Sequence, residues 1–472
     1  MLTLATLIES ELGIKTDRAT PAISEAVVHS RAAIPGSLFI AYVGGNVDGH
    51  TYVVDAFDHG ATIAMIDKAV DPAIRVLDLT KPFTSDTLIP ETPFAVRVLN
   101  SQKSLENLAA FWRRKFDLRV IGITGSVGKS TTKELVSELL AIKFRTLKNQ
   151  GNLNNEIGLP LTLLRLGPGY EKAVLEMGFY KPGEIKQLCD MALPQVGILT
   201  NIGTVHAERA GSQAEIARGK SELVQALPPA PDGTAILNMD DAWIVPMADL
   251  TRAKVFFYGL NPHADLWADE IVSQGLNGIR FHLHYLGETF ATQAPLIGHH
   301  SIHTILRAVA AGLVEGLPIT EIIYGLQHAS GQLRLVATHT SEGALLLDDT
   351  YNASPESTLA ALNLLSELPG RKIAVLGGMF ELGEYEKAGH QKVGIRAAEI
   401  VDQLITVGEL GKMISSAARE AGLSQDAISV LEDIDQAVAL LHTTLHEGDV
   451  VLVKGSHSLR MDLIVHALEV EE

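Results

Sequence analysis

Residues 118–130 read Leu118-Arg119-Val120-Ile121-Gly122-Ile123-Thr124-Gly125-Ser126-Val127-Gly128-Lys129-Ser130. The apolar run up to Thr124 predicts a buried strand, the glycines predict a tight turn, and a helical pattern opens near Lys129. Glycines let backbone N–H groups converge on phosphate oxygens, and a helix N-terminus adds the positive end of its dipole. In such a loop Lys129 would neutralise the terminal phosphates of ATP, and Ser130 would offer its hydroxyl to Mg²⁺. Gly125, Ser126, Gly128 and Thr131 complete the candidate ATP cradle. The strict spacing of a phosphate loop is not met, because Ile123 stands five positions before Gly128. Taken alone, the string also fits a turn before a helix with a structural glycine.

Working outward, strands are predicted at 37–44, 61–67 and 94–100, with a helix at 48–60 and a loop at 80–93. A helix over 101–116 leads into the glycine-rich turn. Short β-type runs follow at 172–178, 196–202, 234–240 and 254–260, separated in several places by helical patterns. That alternation predicts a mainly parallel sheet. Residues 279–285 and 289–296 alternate around Leu286-Gly287-Glu288 and predict an antiparallel pair. From about 329 the alternation restarts, with strands at 344–349, 371–378, 403–408, 427–432 and 449–455, each followed by a helical run. The expected organisation is α/β in three domains: an N-terminal α/β domain over 1–100, a central phosphate-loop domain over 101–328, and a Rossmann-like doubly wound domain over 329–472.

A chain of 472 residues is too long for one core. Its net charge of −18 argues against a nucleic-acid surface. Cys189 is the only cysteine, so neither an intrachain disulfide nor a cysteine metal cluster is available. The start of the chain carries Glu9 and Glu11 within its apolar pattern and reads as a short amphipathic helix, not a signal peptide. No uncharged apolar run approaches the roughly 18 residues of a membrane span. These features predict a cytoplasmic protein, and a monomer is expected.

Further candidates lie at predicted strand ends. Glu176 closes the strand in Leu175-Glu176-Met177-Gly178, and His206 follows the strand that leads into Thr200-Asn201-Ile202-Gly203-Thr204-Val205. A carboxylate and an imidazole there can complete a Mg²⁺ site with phosphate oxygens, Ser130 and water. A lone histidine after a strand also fits a satisfied structural residue. Lys220, in Arg218-Gly219-Lys220-Ser221-Glu222, reads most simply as a surface lysine. The amide-rich segment Lys148–Gly158, with Asn152, Asn154 and Asn155, reads as a solvated loop when taken alone.

The string from Gly122 to Ser130 resembles the phosphate loop of the Mur ligase family, and the resemblance extends from about residue 30 to 461. Asp348-Asp349-Thr350-Tyr351-Asn352-Ala353-Ser354-Pro355 is similar to the string of the branch that adds D-alanyl-D-alanine to UDP-N-acetylmuramoyl-tripeptide. Lys454-Gly455-Ser456 with Arg460-Met461 matches the family's C-terminal signature. Ser30-Arg31, Pro35–Ala41 and Asp48-Gly49-His50 resemble the motifs that hold the UDP part of the muramoyl substrate.

The resemblance implies a peptidoglycan-precursor ligase using ATP and Mg²⁺, with Ser130, Glu176 and His206 as metal ligands. It implies that Asp349 positions the metal–nucleotide complex, and that His300, Arg334 and Asn352 reach the nucleotide. Ser30, Arg31, Asn152, Asn154, Asn155, Lys454 and Ser456 would contact substrate. Lys220 would be a candidate for carbamylation. Five positions depart from the pattern: Ser301 and Thr304 replace two asparagines that serve the adenine, Gly378 replaces Asp, Ser354 replaces Asn, and His29 replaces Asp. The shorter hydroxyls predict looser discrimination between ATP and GTP. Rival readings are the branch that adds the third stem amino acid, whose Asp-Asn-Pro-Arg string is absent, folylpolyglutamate synthetase, and a silent Mur-like scaffold.

Overall fold

Alternation of short apolar runs with helical patterns produces an α/β chain from end to end. The computed structural model describes residues 1–472 except Asn46, Ser85, residues 331–335 and residues 470–472. Its N-terminal part contains α1 (Leu4–Leu12), β1 (Ala26–Val27), β2 (Ser37–Ile40), α2 (Val53–Asp58), β3 (Ala61–Ile66), β4 (Val76–Asp78) and β5 (Phe94–Arg97). The central part begins with α3 (Ser101–Arg113), β6 (Arg119–Thr124), α4 (Lys129–Ala141), β7 (Thr146–Lys148), α5 (Gly158–Leu164), β8 (Lys172–Glu176) and α6 (Glu184–Ala192). It continues through β9 (Val196–Leu199), α7 (Ala207–Ala210), α8 (Gln213–Gln225), β10 (Thr234–Asn238), β11 (Lys254–Gly259), β12 (Leu266–Ser273), β13 (Ile279–Tyr285), β14 (Glu288–Ala294), α9 (Ser301–Val314) and α10 (Ile319–Gln327). The C-terminal part holds β15 (Val336–His339), β16 (Leu345–Asp348), α11 (Pro355–Glu367), β17 (Lys372–Gly377), α12 (Glu386–Ile400), β18 (Gln403–Val407), α13 (Gly411–Glu420), β19 (Ile428–Leu431), α14 (Ile434–Thr444), β20 (Val450–Lys454) and α15 (Asp462–Leu468). No helix among the described residues is long and apolar enough to cross a membrane.

Two contact units divide this chain. The first is Met1–Gly122, Phe144–Gly178 and Glu184–Gln195; the second is Ile123–Lys143, Phe179–Gly183 and Val196–Glu472. In the first, β1-β2-β3-β5-β4 form a parallel sheet, with Leu38, Ile63 and Phe94 fully buried in adjacent strands. α1 is fixed by a capping box at Thr3 and buries Leu4, Leu7 and Ile8, one face of an amphipathic helix. The same unit holds the parallel pair β7–β8 and the helix α3, whose Arg113 donates to the carbonyls of Ala192, Phe116 and Leu118.

In the second unit β9, β10, β11 and β12 run parallel in that order, and the antiparallel strands β13 and β14 follow. Their register turns at Leu286-Gly287, with Tyr285 opposite Glu288, so Glu288 belongs to the strand and not to the turn. The C-terminal sheet has the order β15-β16-β20-β17-β18-β19, parallel except for the β15–β16 pair. Alternate residues of its strands feed two cores. Leu347, Ala374, Leu404 and Leu452 pack with α11, α12 and α13, while Leu346, Ile373, Ile405 and Val451 pack with α14 and α15. Helices on both faces make this a doubly wound sheet, and its strands are accordingly apolar on both sides.

The order of predicted elements is the order observed, with shorter strands: the run predicted at 37–44 ends at Ile40, and the helix predicted from 48 begins as a 3₁₀ turn over Gly49–Tyr52. Strands β1, β4, β7, β12 and β15 were not anticipated. Four of them have two to four residues, too few to show a period, and Asp269 and Glu270 interrupt the apolar pattern of β12.

His390 ties α12 to the loop after β17. Its Nε2 accepts the Met379 N–H at 3.0 Å, and its Nδ1 donates to the Glu386 carbonyl at 2.7 Å, which uses both ring nitrogens in the neutral tautomer. The side chain is fully buried, and burial lowers its pKa from the ordinary histidine value. The unfolded chain therefore binds this proton more readily than the folded one. The stability from neutral His390 is complete above about pH 6.5, the ordinary value, and is lost as pH falls through the lowered folded-state value. We expect urea midpoints of the wild type to drop on acidification below about pH 6.5, with a shallower drop in His390→Gln. Parallel pH profiles of the two proteins would refute this assignment.

Candidate active site

β6 ends in a loop that bends around a single carbonyl. The Gly125 carbonyl accepts both Lys129 Nζ at 2.9 Å and Lys220 Nζ at 2.8 Å, and Lys129 also donates to the Ser126 carbonyl at 3.1 Å. Lys220 is fully buried, with its ammonium 4.7 Å from the centroid of Phe179. The simple reading of Lys220 as a surface lysine is thus corrected. α8 places it on its inner face, where Gly219 leaves room for the Phe179 ring: a Cβ there would lie 2.1 Å from it. Two ammonium groups converging on one acceptor at a helix N-terminus concentrate positive charge, which is what a polyphosphate requires.

The loop is held open by residues just beyond β9. Ser126 N donates to the Asn201 carbonyl and Val127 N to Asn201 Oδ1, both at 2.9 Å, while Ser126 Oγ accepts Gly203 N at 2.8 Å. Gly125 takes a φ of +147°, and a Cβ there would sit 1.8 Å from Thr200 Oγ1. No other residue type fits that contact. Asn201 was not singled out from the sequence. Nothing in the sequence around Asn201 shows that its amide reaches a loop 74 residues earlier.

His206 has a φ of +68°, uncommon for a residue with a side chain. Its Nδ1 lies 2.6 Å from Glu381 Oε2, and Tyr180 packs edge-on against the ring at 4.9 Å. Glu381 also pairs with Arg209 at 2.7 Å. Burial pulls the His206 pKa down to about 4, against the opposing hydrogen bond that Nδ1 donates to Glu381, so the ring is neutral near pH 7. A carboxylate on Nδ1 turns Nε2 away from that bond, the arrangement a metal-binding imidazole would need. Glu381 carried no sequence signal, since 175 residues separate it from His206.

Three adjacent strands, β16, β20 and β17, end together in the C-terminal sheet. Lys454, at the end of β20, is buried and donates to Asp349 Oδ2 at 2.7 Å and to the Asn352 carbonyl at 2.8 Å. Lys454, expected at the substrate, here holds Asp349 and the 349–352 turn with its ammonium. Ser456 Oγ accepts Phe380 N at 3.0 Å. Asn352 Oδ1 bonds Ala353 N, Tyr351 is half-exposed, and His300 is exposed at the start of α9. Arg334 lies outside the described residues.

In the first unit, Glu176 is buried beneath the amide-rich segment. Asn154 Nδ2 donates to Glu176 Oε1 at 2.8 Å, and Asn149 clamps the Glu176 backbone through N–H and carbonyl bonds of 2.9 and 3.0 Å. Asn155 Oδ1 accepts Ile157 N and Gly158 N, and Asn152 is exposed. The segment is a structured cover of Glu176, not a solvated loop. Ser30 and exposed Arg31 lie on a 3₁₀ turn. His50 bonds Asp48 Oδ1 at 2.6 Å and the Asp67 N–H at 3.2 Å; Lys68 and then His50 hold Asp48 well below the usual carboxylate range.

Known proteins share this arrangement of sequence and fold. The family model for the Mur ligase middle domain matches residues 123–312, and that for the Mur ligase, glutamate ligase domain matches residues 333–457. A UDP-N-acetylmuramoyl-tripeptide–D-alanyl-D-alanine ligase of Synechocystis is 34% identical, over 95% of this chain and 92% of its own. The chain belongs to the MurF branch of the Mur ligase family. The crystal structure of MurF from Acinetobacter baumannii superimposes with a TM-score of 0.82 at 27% identity, covering 98% of each chain. That of a Thermotoga maritima MurF ligase in complex with ADP gives 0.75 at 27%, covering 94% of this chain and 96% of the other.

Within this Mur ligase four of the five departures from the family pattern have a local setting, and nothing in the structure explains His29. Ser354 caps α11 in a capping box with Ser357, a place where Ser and Asn serve equally well. At Gly378 a Cβ would meet Leu410 Cβ at 2.7 Å, so the aspartate of the pattern has no room. Ser301 Oγ donates to the Ile297 carbonyl at 2.6 Å, and Thr304 Oγ1 accepts Arg307 Nη2 at 2.7 Å. Both hydroxyls are engaged inside the protein.

Proposed function

We infer that this Mur ligase joins D-alanyl-D-alanine to UDP-N-acetylmuramoyl-tripeptide at the expense of ATP, in peptidoglycan precursor synthesis. The observation that carries this reading is a phosphate loop with two lysines on its Gly125 carbonyl, in a chain alike over nearly its whole length to ligases named for that reaction. A terminal carboxylate oxygen of the tripeptide attacks the γ-phosphorus of ATP, and the bond to ADP breaks. The amine of D-alanyl-D-alanine then attacks the acyl carbon, the C–O bond breaks, phosphate leaves and the amine loses a proton. Gly125, Ser126, Gly128, Lys129, Ser130 and Thr131 bind and orient the phosphates, and the fixed charge of Lys129 offsets repulsion between the anions. His300, Arg334 and Asn352 serve the nucleotide; Ser30 and Arg31 serve the uridine diphosphate; Asn152, Asn154, Asn155 and Ser456 serve the acceptor side.

Mg²⁺ belongs to this reading on the family resemblance: the Ser130 hydroxyl at the start of α4 is a hard oxygen donor, and a neutral His206 with Nδ1 held by Glu381 would add Nε2. Glu176 joins them on the resemblance of its segment. The ion would supply charge to neutralise phosphate oxygens. Lys220 remains the candidate for carbamylation, and the 1–100, 101–328 and 329–472 segments the functional divisions. The single cysteine, which can form no intrachain disulfide, and dependence on ATP fit the cytoplasm.

Phosphate release from ATP, measured with UDP-N-acetylmuramoyl-tripeptide and a panel of amines, tests the function. Turnover is expected only with both the tripeptide and D-alanyl-D-alanine, and hydroxylamine should trap the acyl phosphate. Comparable turnover with a single amino acid and the dipeptide substrate would move the chain to the neighbouring branch. Hydrolysis without any ligation partner would count against the ligase reading altogether.

A further inference from the structure

Arg307, on the inner face of α9, is 3% exposed and has no assigned role in the chemistry above. Its Nη2 donates to Thr304 Oγ1, and its Nε has no partner. Among the described residues no carboxylate lies within ion-pair distance of it. The nearby acids are engaged elsewhere: Asp240 with His303 and the Leu260 and Asn261 N–H groups, Asp241 with the Ile202 and Trp243 N–H groups. Tyr258, whose ring centroid is 6.0 Å from the guanidinium carbon, donates its hydroxyl to the carbonyls of Leu199 and Thr200. Burial pushes that phenol up to about 12, so it stays neutral and supplies no counter-charge.

A guanidinium cannot shed its proton, and burying it unpaired is costly. Its position raises the cost further. Gly128 caps the N-terminus of α4 with a φ of +81°, and a Cβ built there would lie 3.2 Å from Arg307 Nη2 and 3.9 Å from Cζ. A cation against the positive end of a helix is unfavourable unless an anion lies between them. The glycine leaves room for the guanidinium, and Thr304 holds it there. Arg307, the Lys129–Lys220 pair and the α4 terminus form one cluster of positive charge around the phosphate loop.

We infer that Arg307 is a nucleotide-binding residue, a buried fixed cation that completes the polyphosphate cradle at Gly128. This rests on the reading of the loop as the ATP site. The Arg307 guanidinium gains a counter-charge only when the phosphates are present, so charge at position 307 is retained for binding at the expense of the unliganded protein's stability.

The test compares wild type, Arg307→Met and Arg307→Lys in the full chain. ADP and adenosine are titrated calorimetrically, and thermal unfolding is followed with and without ADP. Arg307→Met is expected to weaken ADP at least tenfold, to leave adenosine within twofold, and to unfold no earlier than wild type when unliganded. Arg307→Lys should keep ADP binding within a few-fold. Arg307→Gln, which can retain the Thr304 hydrogen bond without the charge, takes the place of the methionine variant if that fails to fold. ADP binding by a neutral variant within twofold of wild type would overturn the inference while the nucleotide site stood. A parallel loss of ADP and adenosine would mark a packing role and overturn it equally. A wild type that bound no ADP would instead overturn the reading of the loop, and this inference with it.

Discussion

Lys129→Ala is expected to lower kcat/KM for ligation by at least about 10³-fold, because the lysine acts on charge that develops during phosphoryl transfer. Unfolding should change little. Lys129 is half-buried, its bonds run to the Gly125 and Ser126 carbonyls of its own loop, and Lys220 continues to hold Gly125 from the other side. Losing this side chain therefore empties no core. The decisive measurement is turnover beside thermal unfolding in the same preparation. A folded variant with near-normal kcat would show that the loop does not bind the transferred phosphate. If wild type and variant differ only in Tm, the lysine is a structural element and the phosphate assignment fails as well.

Gly125→Ala should be as damaging for a different reason. The added methyl would overlap Thr200 Oγ1 at 1.8 Å and crowd Thr200 N at 3.0 Å, and φ at this residue is +147°. Relief requires moving either the loop or the end of β9, where Thr200 N donates to the Thr124 carbonyl. Displacing the loop by about 1 Å is enough to cost roughly 10²-fold in rate. We expect loss of the ADP-dependent rise in Tm and a fall of about 10²-fold or more in kcat/KM. Gly408→Ala is the control. It also carries a positive φ, +80°, but its Cβ would meet nothing within 4 Å, so only backbone strain of about 1–2 kcal/mol is expected, with full activity. Equal behaviour of the two variants would mean that positive φ alone, and not the Thr200 contact, sets the requirement at Gly125.

The order of elements, the glycine-rich loop before Lys129 and the doubly wound C-terminal sheet are legible in the amino-acid sequence. Each of these is a local pattern: the apolar run of β6, the glycines before Lys129, and the regular return of strand and helix after residue 336. The same patterns put Glu176 and Asp349 at the ends of strands and His206 beyond one, and resemblance over most of the chain implied what these residues and Lys129 do. Short edge strands escaped because two to four residues carry no period.

What those side chains meet is set by the packing of distant segments. That Lys220 is buried on the Gly125 carbonyl, that Lys454 holds Asp349, and that Glu381 orients His206 depends on contacts between residues roughly a hundred or more positions apart. The same holds for Asn201, whose amide fixes the phosphate loop, and for Arg307, whose guanidinium occupies the space that Gly128 leaves. Periodicity reports which face of an element is buried. It does not report which buried polar group will satisfy which other, because that pairing is set by the approach of separate strands and helices once their apolar faces have packed.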